Sequence, residues 1–149
     1  MNDRRRFSLA SAFEAAEKDE TALWVGDFLA SRGSDNATLA AGLAEKKTWW
    51  LGPLQVPLSD LVQLAGPEDE DVLIPVESDE WKNDVEAMEE SVEQGWEPPP
   101  LLLEYRNGQL LIQDGNHRYE ALDRVGESKT WALIWFTSEA DRDSFEARL

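Results

Sequence analysis

The chain contains no cysteine and a single histidine, His117. The first absence removes disulfides, thiolate chemistry and every Cys-ligated metal site. The second removes a multi-histidine centre, so no zinc site of ordinary composition can be assembled. Any metal has to be a hard, oxygen-ligated ion such as Mg²⁺. Positive charge is scarce too: 14 Lys and Arg face 31 Asp and Glu, leaving a net charge of −17. Neutralising phosphates with Lys and Arg supplies most non-specific affinity for nucleic acid, so a surface this acidic repels free DNA or RNA. Its commonest meaning is plain solubility. Long hydrophobic runs are missing as well. "WALIWF" near the C-terminus is six residues and cannot span a bilayer. "MNDRRRFSLASAF" has basic residues but no apolar stretch long enough for a signal peptide. The expectation is a soluble cytoplasmic protein with no membrane partner.

What is present points to a folded domain. With 149 residues, 42% of them hydrophobic, and seven Trp, the chain can bury a real core in one unit. Residues Ser8 to Lys47 read as helical, with a break near Asp19 to Thr21 and a second helix capped from Ser34 or Asp35. That second helix offers base-reading side chains only at its start (Asn36, Thr38), which disfavours a helix-turn-helix that reads DNA. Gly52-Pro53 signals a turn, "LQVPL" a short extended piece, and "SDLVQLAG" a short helix ending at Gly66. From Glu68 to Glu97 there are thirteen acidic residues and one Lys. Within that stretch Trp81, Val85, Met88 and Val92 form one apolar stripe of an amphipathic helix, which Pro98 to Pro100 prevent from continuing. "LLLEYR" and "QLLIQ" flank Asn107-Gly108, the dipeptide of a two-residue hairpin turn. A helix, the buried strand "TWALIWF" and a terminal helix capped at Ser138 follow. The order predicts an α+β fold with a small mixed sheet and flanking helices.

The hairpin's second strand runs into Asp114-Gly115-Asn116-His117-Arg118 before the next helix. A glycine turn at a helix N-terminus leaves backbone N–H groups without partners at the positive end of the dipole, which makes a ready anion site. Gly115 lets a ligand approach the backbone. Asn116 can orient a hydroxyl, His117 can donate a hydrogen bond, and Arg118 can fork onto two phosphate oxygens. Asp114 can accept a proton or hold Mg²⁺ through water. The structural alternative is equally open on these residues alone. In it Asp114 steadies the turn, Asn116 caps the helix, Arg118 pairs with Asp123 or Glu120, and His117 is a half-buried polar group.

The series "VPLSDL", an acidic helix ending in Gly95, prolines, a hairpin, a Gly-x-x-Arg turn and a last apolar strand resembles the ParB/sulfiredoxin superfamily over about Leu54 to Phe136. The resemblance implies a ParB/sulfiredoxin-like fold for residues 51–149, with residues 1–50 as an N-terminal helical extension packed on it. It also implies that Gly115, Asn116, His117 and Arg118 bind the phosphates of a nucleotide. Asn116 stands where the sulfiredoxin branch has its reactive cysteine, so thiol-based chemistry is excluded. The chromosome-segregation branch carries extra basic residues at the turn, which this chain lacks. The free serine kinase branch, with an Asp-Gly-His-x-Arg-type turn, is the nearest chemical precedent, although the register differs. What it implies is a nucleotide or phosphorylated small molecule as partner and Mg²⁺ with the nucleotide as cofactor. Asp114 and His117 are then the catalytic candidates, with Asp114 also the metal-orienting group, for phosphoryl transfer or hydrolysis. Glu77 is another candidate base. Two alternatives stand beside this: a ParB-like nuclease or DNA-associated protein, and a non-catalytic interaction module that docks its acidic face on a basic protein.

Overall fold

Two apolar segments of the chain alternate between opposite cores, and this sets the architecture. The computed structural model describes residues 7–31, 37–67, 74–76 and 78–149. Among these, strand β1 is Trp49–Pro57, β2 is Leu61–Gln63, β3 is Ala65–Pro67, β4 is Ile74–Val76, β5 is Leu101–Arg106, β6 is Gln109–Asp114 and β7 is Lys129–Phe136. The helices are α1 (Leu9–Glu17), α2 (Thr21–Leu29), α3 (Ala37–Ala44), α4 (Ser78–Glu93), α5 (Asn116–Arg124) and α6 (Glu139–Glu146). Five strands form one mixed sheet in the order β1-β7-β5-β6-β2, and β3 pairs with β4 apart from it. The β1–β7 and β5–β6 pairs are antiparallel, whereas β5–β7 and β2–β6 are parallel. The fold class is α+β, as the sequence predicts.

Leu101, Leu103, Ala132, Ile134 and Phe136 join one buried cluster with Leu122 of α5, Ile112 and Val56. Their sequence neighbours Leu102, Leu133 and Trp135 join a second cluster with Ala12, Ala15, Trp24, Val25, Phe28 and Leu29. Side chains alternate across a strand, so the sheet is buried on both faces, one of them under α1 and α2. Each fully buried large side chain in these clusters contributes on the order of 1.5–3 kcal/mol. The N-terminal helices therefore cover one face of β5 and β7. β1 starts at Trp49, so the chain enters the sheet just before the boundary expected at residue 51.

Several local signals act as the sequence predicts. Asn107 and Gly108 take φ of +52° and +81°, the pair of positive values that a type I′ turn needs. The break between α1 and α2 falls at Asp19, whose φ is +58°. Ser138 caps α6 by accepting from the Asp141 amide at 3.3 Å. Two expectations change. Gly52-Pro53 is no turn: β1 runs through it with a cis peptide and a register shift between Leu51 and Leu54. A Cβ at Gly52 would lie 2.5 Å from the Ala132 carbonyl oxygen, so glycine is what lets the strand close on β7 there. "SDLVQLAG" is no helix beyond the 3₁₀ turn Leu58–Asp60, because Leu61–Gln63 pairs in parallel with Leu110–Ile112. Tertiary pairing overrides a helical spacing here. The caps expected at Ser34 or Asp35, and Glu77, lie outside the described residues. Among the described residues, no helix is long and apolar enough to cross a membrane.

Candidate functional site

β6 ends at Asp114 and α5 begins at Asn116, with Gly115 between them at φ +110° and ψ 20°. Left-handed backbone favours glycine, and here space demands it too. A Cβ on Gly115 would sit 2.5 Å from Leu101 Cδ2 and 2.9 Å from Arg118 Nη2. Gly115 occupies the N-cap position without a side-chain cap, and its carbonyl accepts from the Tyr119 amide at 2.8 Å. Asn116 is the first helical residue and not the cap.

Arg118 is buried, 6% exposed. Its Nη1 donates to the carbonyl oxygens of Pro99 and Pro100 at 2.9 Å each, and its Nη2 donates to Asp114 Oδ2 at 2.6 Å. The guanidinium carbon also lies 5.4 Å from the ring centre of Phe28 in α2. The fork that the sequence offers to a ligand is turned onto the chain itself. Its partner is Asp114, not Asp123 or Glu120; Glu120 instead lies 3.6 Å from Arg124. The triple proline makes sense in this setting, since prolines give up N–H groups but keep carbonyls, which a buried cation can use. Burial pulls the Arg118 pKa down and Asp114 opposes that shift. A guanidinium remains charged regardless.

Asn116 ties the residue that follows β2 to β6. Its Oδ1 accepts from the Leu64 amide at 2.9 Å and its Nδ2 donates to the Ile112 carbonyl at 3.2 Å. His117 is the outward member of the turn, with 40% of its side chain exposed. Its ring stacks on Trp81 at 4.2 Å and 28°, and its Nε2 lies 3.7 Å from Asp84 Oδ2. Trp81 is 1% exposed, and among the described residues its indole Nε1 has no hydrogen-bond partner.

Trp81, Val85 and Ala121 form the seam between α4 and α5. Trp81, near the start of α4, meets His117, near the start of α5. Further along, Val92 of α4 packs against the cluster that contains Leu122 of α5. The two helices thus run parallel, with both N-termini at the polar turn. Their dipoles add there, and the sum favours an anion.

The structure brings Asp114, Gly115, Asn116, His117 and Arg118 together, but divides them into an inner and an outer set. Asp114 and Arg118 neutralise each other inside; the His117 side chain sits at the rim. Asp114 as a metal ligand fits poorly, because its carboxylate is 11% exposed and already held by Arg118. Among the described residues, no group of three or more His, Asp or Glu is placed to hold an ion. Sequence reasoning missed Asp84, Phe28 and the carbonyls of Pro99 and Pro100. Trp81 is legible as a buried stripe residue, but not as the platform for His117.

Three solved structures illustrate what the chain is similar to. A conserved hypothetical protein from Pyrococcus furiosus matches with TM-score 0.41 and 21% identity, over 54% of this chain and 31% of that one. A sulfiredoxin from Arabidopsis thaliana matches with TM-score 0.38 and 19% identity, over 64% of this chain and 97% of that one. A Pnob8-like ParB-N domain matches with TM-score 0.39 and 18% identity, over 66% of this chain and 34% of that one. The match spans about a third of the Pyrococcus and ParB-N chains. No family model and no curated protein matches the sequence. Each is a partial likeness of structure at low sequence identity.

Proposed function

We propose that the Asp114–Arg118 turn binds the phosphate of a nucleotide or phosphorylated small molecule, and that any chemistry there is phosphoryl transfer or hydrolysis. The observation that carries this reading is the parallel pairing of α4 and α5, with α5 starting at a left-handed glycine that supplies no side-chain cap. Amides of Asn116 and His117 meet the anion, and the His117 side chain donates from the rim. Arg118 acts through its fixed positive charge rather than as a fork, because its donors face Pro99, Pro100 and Asp114. Asp114, held by Arg118, fixes that charge at the turn, and His117 at the rim is the catalytic candidate placed to move a proton. Mg²⁺ keeps most of its contacts to phosphates and water, so the ion arrives with the nucleotide instead of waiting in a protein cage.

A second reading has its own support. Asp114, Asn116 and Arg118 all have partners within the fold, which is what a purely structural turn requires. In that reading the chain is a non-catalytic module whose acidic face docks on a basic protein. A ParB-like nuclease or DNA-associated protein is disfavoured by the net charge of −17.

Thermal unfolding against a panel of nucleotides and inorganic phosphate, with and without Mg²⁺, tests the first reading. A ligand at a hundred times its dissociation constant adds about 2.7 kcal/mol. At this size that raises the melting point by roughly 5–10 °C. His117→Ala is the comparison variant, since Arg118 holds the fold together. If no anion shifts the wild type more than His117→Ala, the phosphate reading fails. A shift with a basic polypeptide alone supports the docking module, and salt-steep binding to DNA supports the third reading.

A further inference from the structure

The β5–β6 hairpin ends in a tip whose two residues carry reactivity as well as shape. Asn107 and Gly108 are both exposed, with φ of +52° and +81°. A Cβ at Gly108 would meet nothing within 4 Å, so the tip stands clear of the rest of the fold. Among the described residues no side-chain hydrogen bond holds the Asn107 amide. Glycine puts no side chain beside its own nitrogen. The Gly108 nitrogen can therefore come up to the Asn107 side-chain carbonyl unhindered, and that carbonyl is an amide whose leaving group is ammonia.

The other described asparagines each lack a part of this. Asn83 is exposed, but it lies inside α4, where the following amide is held in the helical ladder and belongs to Asp84, a residue with a side chain. Asn116 has both ends of its side-chain amide bonded, to the Leu64 amide and the Ile112 carbonyl. Asn2 and Asn36 lie outside the described residues.

We propose that Asn107-Gly108 is a self-modification site, where the chain deamidates without enzyme or cofactor and only the isoaspartyl product damages the hairpin. The Gly108 nitrogen gives its proton to base and bonds to Asn107 Cγ. The Cγ–Nδ2 bond breaks, and the nitrogen takes up a proton and leaves as ammonia. Water then opens the cyclic imide. Breaking the new bond at Cγ leaves an aspartate at position 107. Breaking the bond from the backbone carbonyl to Gly108 leaves an isoaspartate, whose main chain runs through Cβ and Cγ. Either way ammonia has gone, water has entered, and a chain already at −17 gains a carboxylate.

The hairpin treats the two products differently. Asp-Gly suits a type I′ turn as well as Asn-Gly does. Isoaspartate lengthens the main chain by one carbon, so the two-residue loop no longer closes on the Arg106–Gln109 pair. Arg106 and Gln113 donate to Glu104 at 2.8–2.9 Å, and Glu104 is 7% exposed. A loosened tip withdraws Arg106 and leaves a buried carboxylate with Gln113 alone. Closing the imide needs a ψ at Asn107 that a type I′ turn does not allow, so opening of the tip sets the rate. The site is independent of the phosphate reading and lies one strand away from the polar turn, since β6 joins the two.

The test incubates the full chain at mildly alkaline pH, folded and in urea, and follows it by ion exchange and peptide mass mapping. More acidic species should appear that carry the exchange of ammonia for water at Asn107, as both aspartate and isoaspartate, sooner in urea than in the fold. Within the fold Asn116 should convert at least about tenfold more slowly, because two hydrogen bonds have to break first. Asn107→Gln, whose longer side chain must close a larger and slower ring, should remove these species even in urea. The isoaspartyl form should melt roughly 2–4 °C below the wild type, while Asn107→Asp melts with it. First conversion at Asn83 or Asn116 would overturn the proposal. So would acidic species persisting in Asn107→Gln, or an intact Asn107 in the fold once the urea-unfolded chain has converted completely. Equal melting of Asn107→Asp and the isoaspartyl form would overturn its second half, by tracing the damage to charge.

Discussion

The two poles of the α4–α5 pair solve the same electrostatic problem in opposite ways. Each carries charge of the sign that its helix dipoles disfavour: Arg118 sits in the first turn of α5, and glutamates crowd the last turns of α4. Each such charge costs a few tenths to about 1 kcal/mol unless something offsets it. At the N-terminal pole the fold supplies the offset itself, through Asp114 and two proline carbonyls. At the C-terminal pole Glu89, Glu90 and Glu93 meet no basic residue in the last turn of α4, and solvent screening supplies the offset. A pole answered internally is a piece of structure with a rim for binding. A pole left to the solvent keeps its charge at the surface.

The hardest way to break this contrast is to empty the inner pole. Arg118→Ala removes a buried cation and leaves Asp114, 11% exposed, with the carbonyls of Pro99 and Pro100 facing no donor. Breaking a buried pair from one side costs about 3–5 kcal/mol. Urea unfolding should show a loss of that size; a loss below about 1 kcal/mol would mean that the inner pole is not structural. Arg118→Lys keeps the charge but cannot reach three acceptors in one plane, and should recover only part of the loss.

Gly115→Ala strikes the same pole through space. The added Cβ meets Leu101 Cδ2 at 2.5 Å and needs a φ of +110°. Left-handed strain and overpacking together put the cost at about 2–4 kcal/mol. The melting temperature should fall accordingly, whatever ligand is present.

How much of this was legible before the structure depends on how far apart the partners lie. Asn107-Gly108 announces its hairpin because the two residues alone dictate the turn. The Trp81–Val85 stripe announces a buried helix face for the same reason. The polar turn was legible as a place, since Asp114, Gly115 and the start of α5 are contiguous. Its inward half was not. Arg118 finds Pro99 and Pro100 across 19 and 18 residues, and nothing local distinguishes Asp114 from Asp123 or Glu120 as its ion-pair partner. β2 was misread as helix because its apolar spacing fits either period, and only β6 decides between them. The N-terminal helices gave no local sign that they cover a whole sheet face. That depends on Leu102, Leu133 and Trp135, more than seventy positions away from Phe28.

Asn116→Ala should sit between the structural and functional extremes. It leaves the Leu64 amide without its acceptor and frees the Ile112 carbonyl. A buried donor stranded in this way costs about 1–3 kcal/mol. Hydrogen exchange at the Leu64 amide should speed up selectively. Uniform loss of protection would instead point to global destabilisation.

The gentlest changes carry the most functional information. His117 and Asp84 lie at the rim, 40% and 56% exposed, with 3.7 Å between Nε2 and Oδ2. An exposed pair of this kind contributes about 0–1 kcal/mol, and the stack on Trp81 about 0.5–1.5 kcal/mol. His117→Ala should therefore stay folded while losing anion binding, and urea unfolding beside phosphate titration reads both. Asp84→Asn then separates a binding pole from a merely structural one by sign. Removing a carboxylate beside an anion site relieves repulsion, so phosphate should bind about two- to threefold tighter, with the gain shrinking as salt rises. If Asp84 only positions His117, the same substitution should weaken binding instead. Unchanged binding would place the anion elsewhere than at the rim.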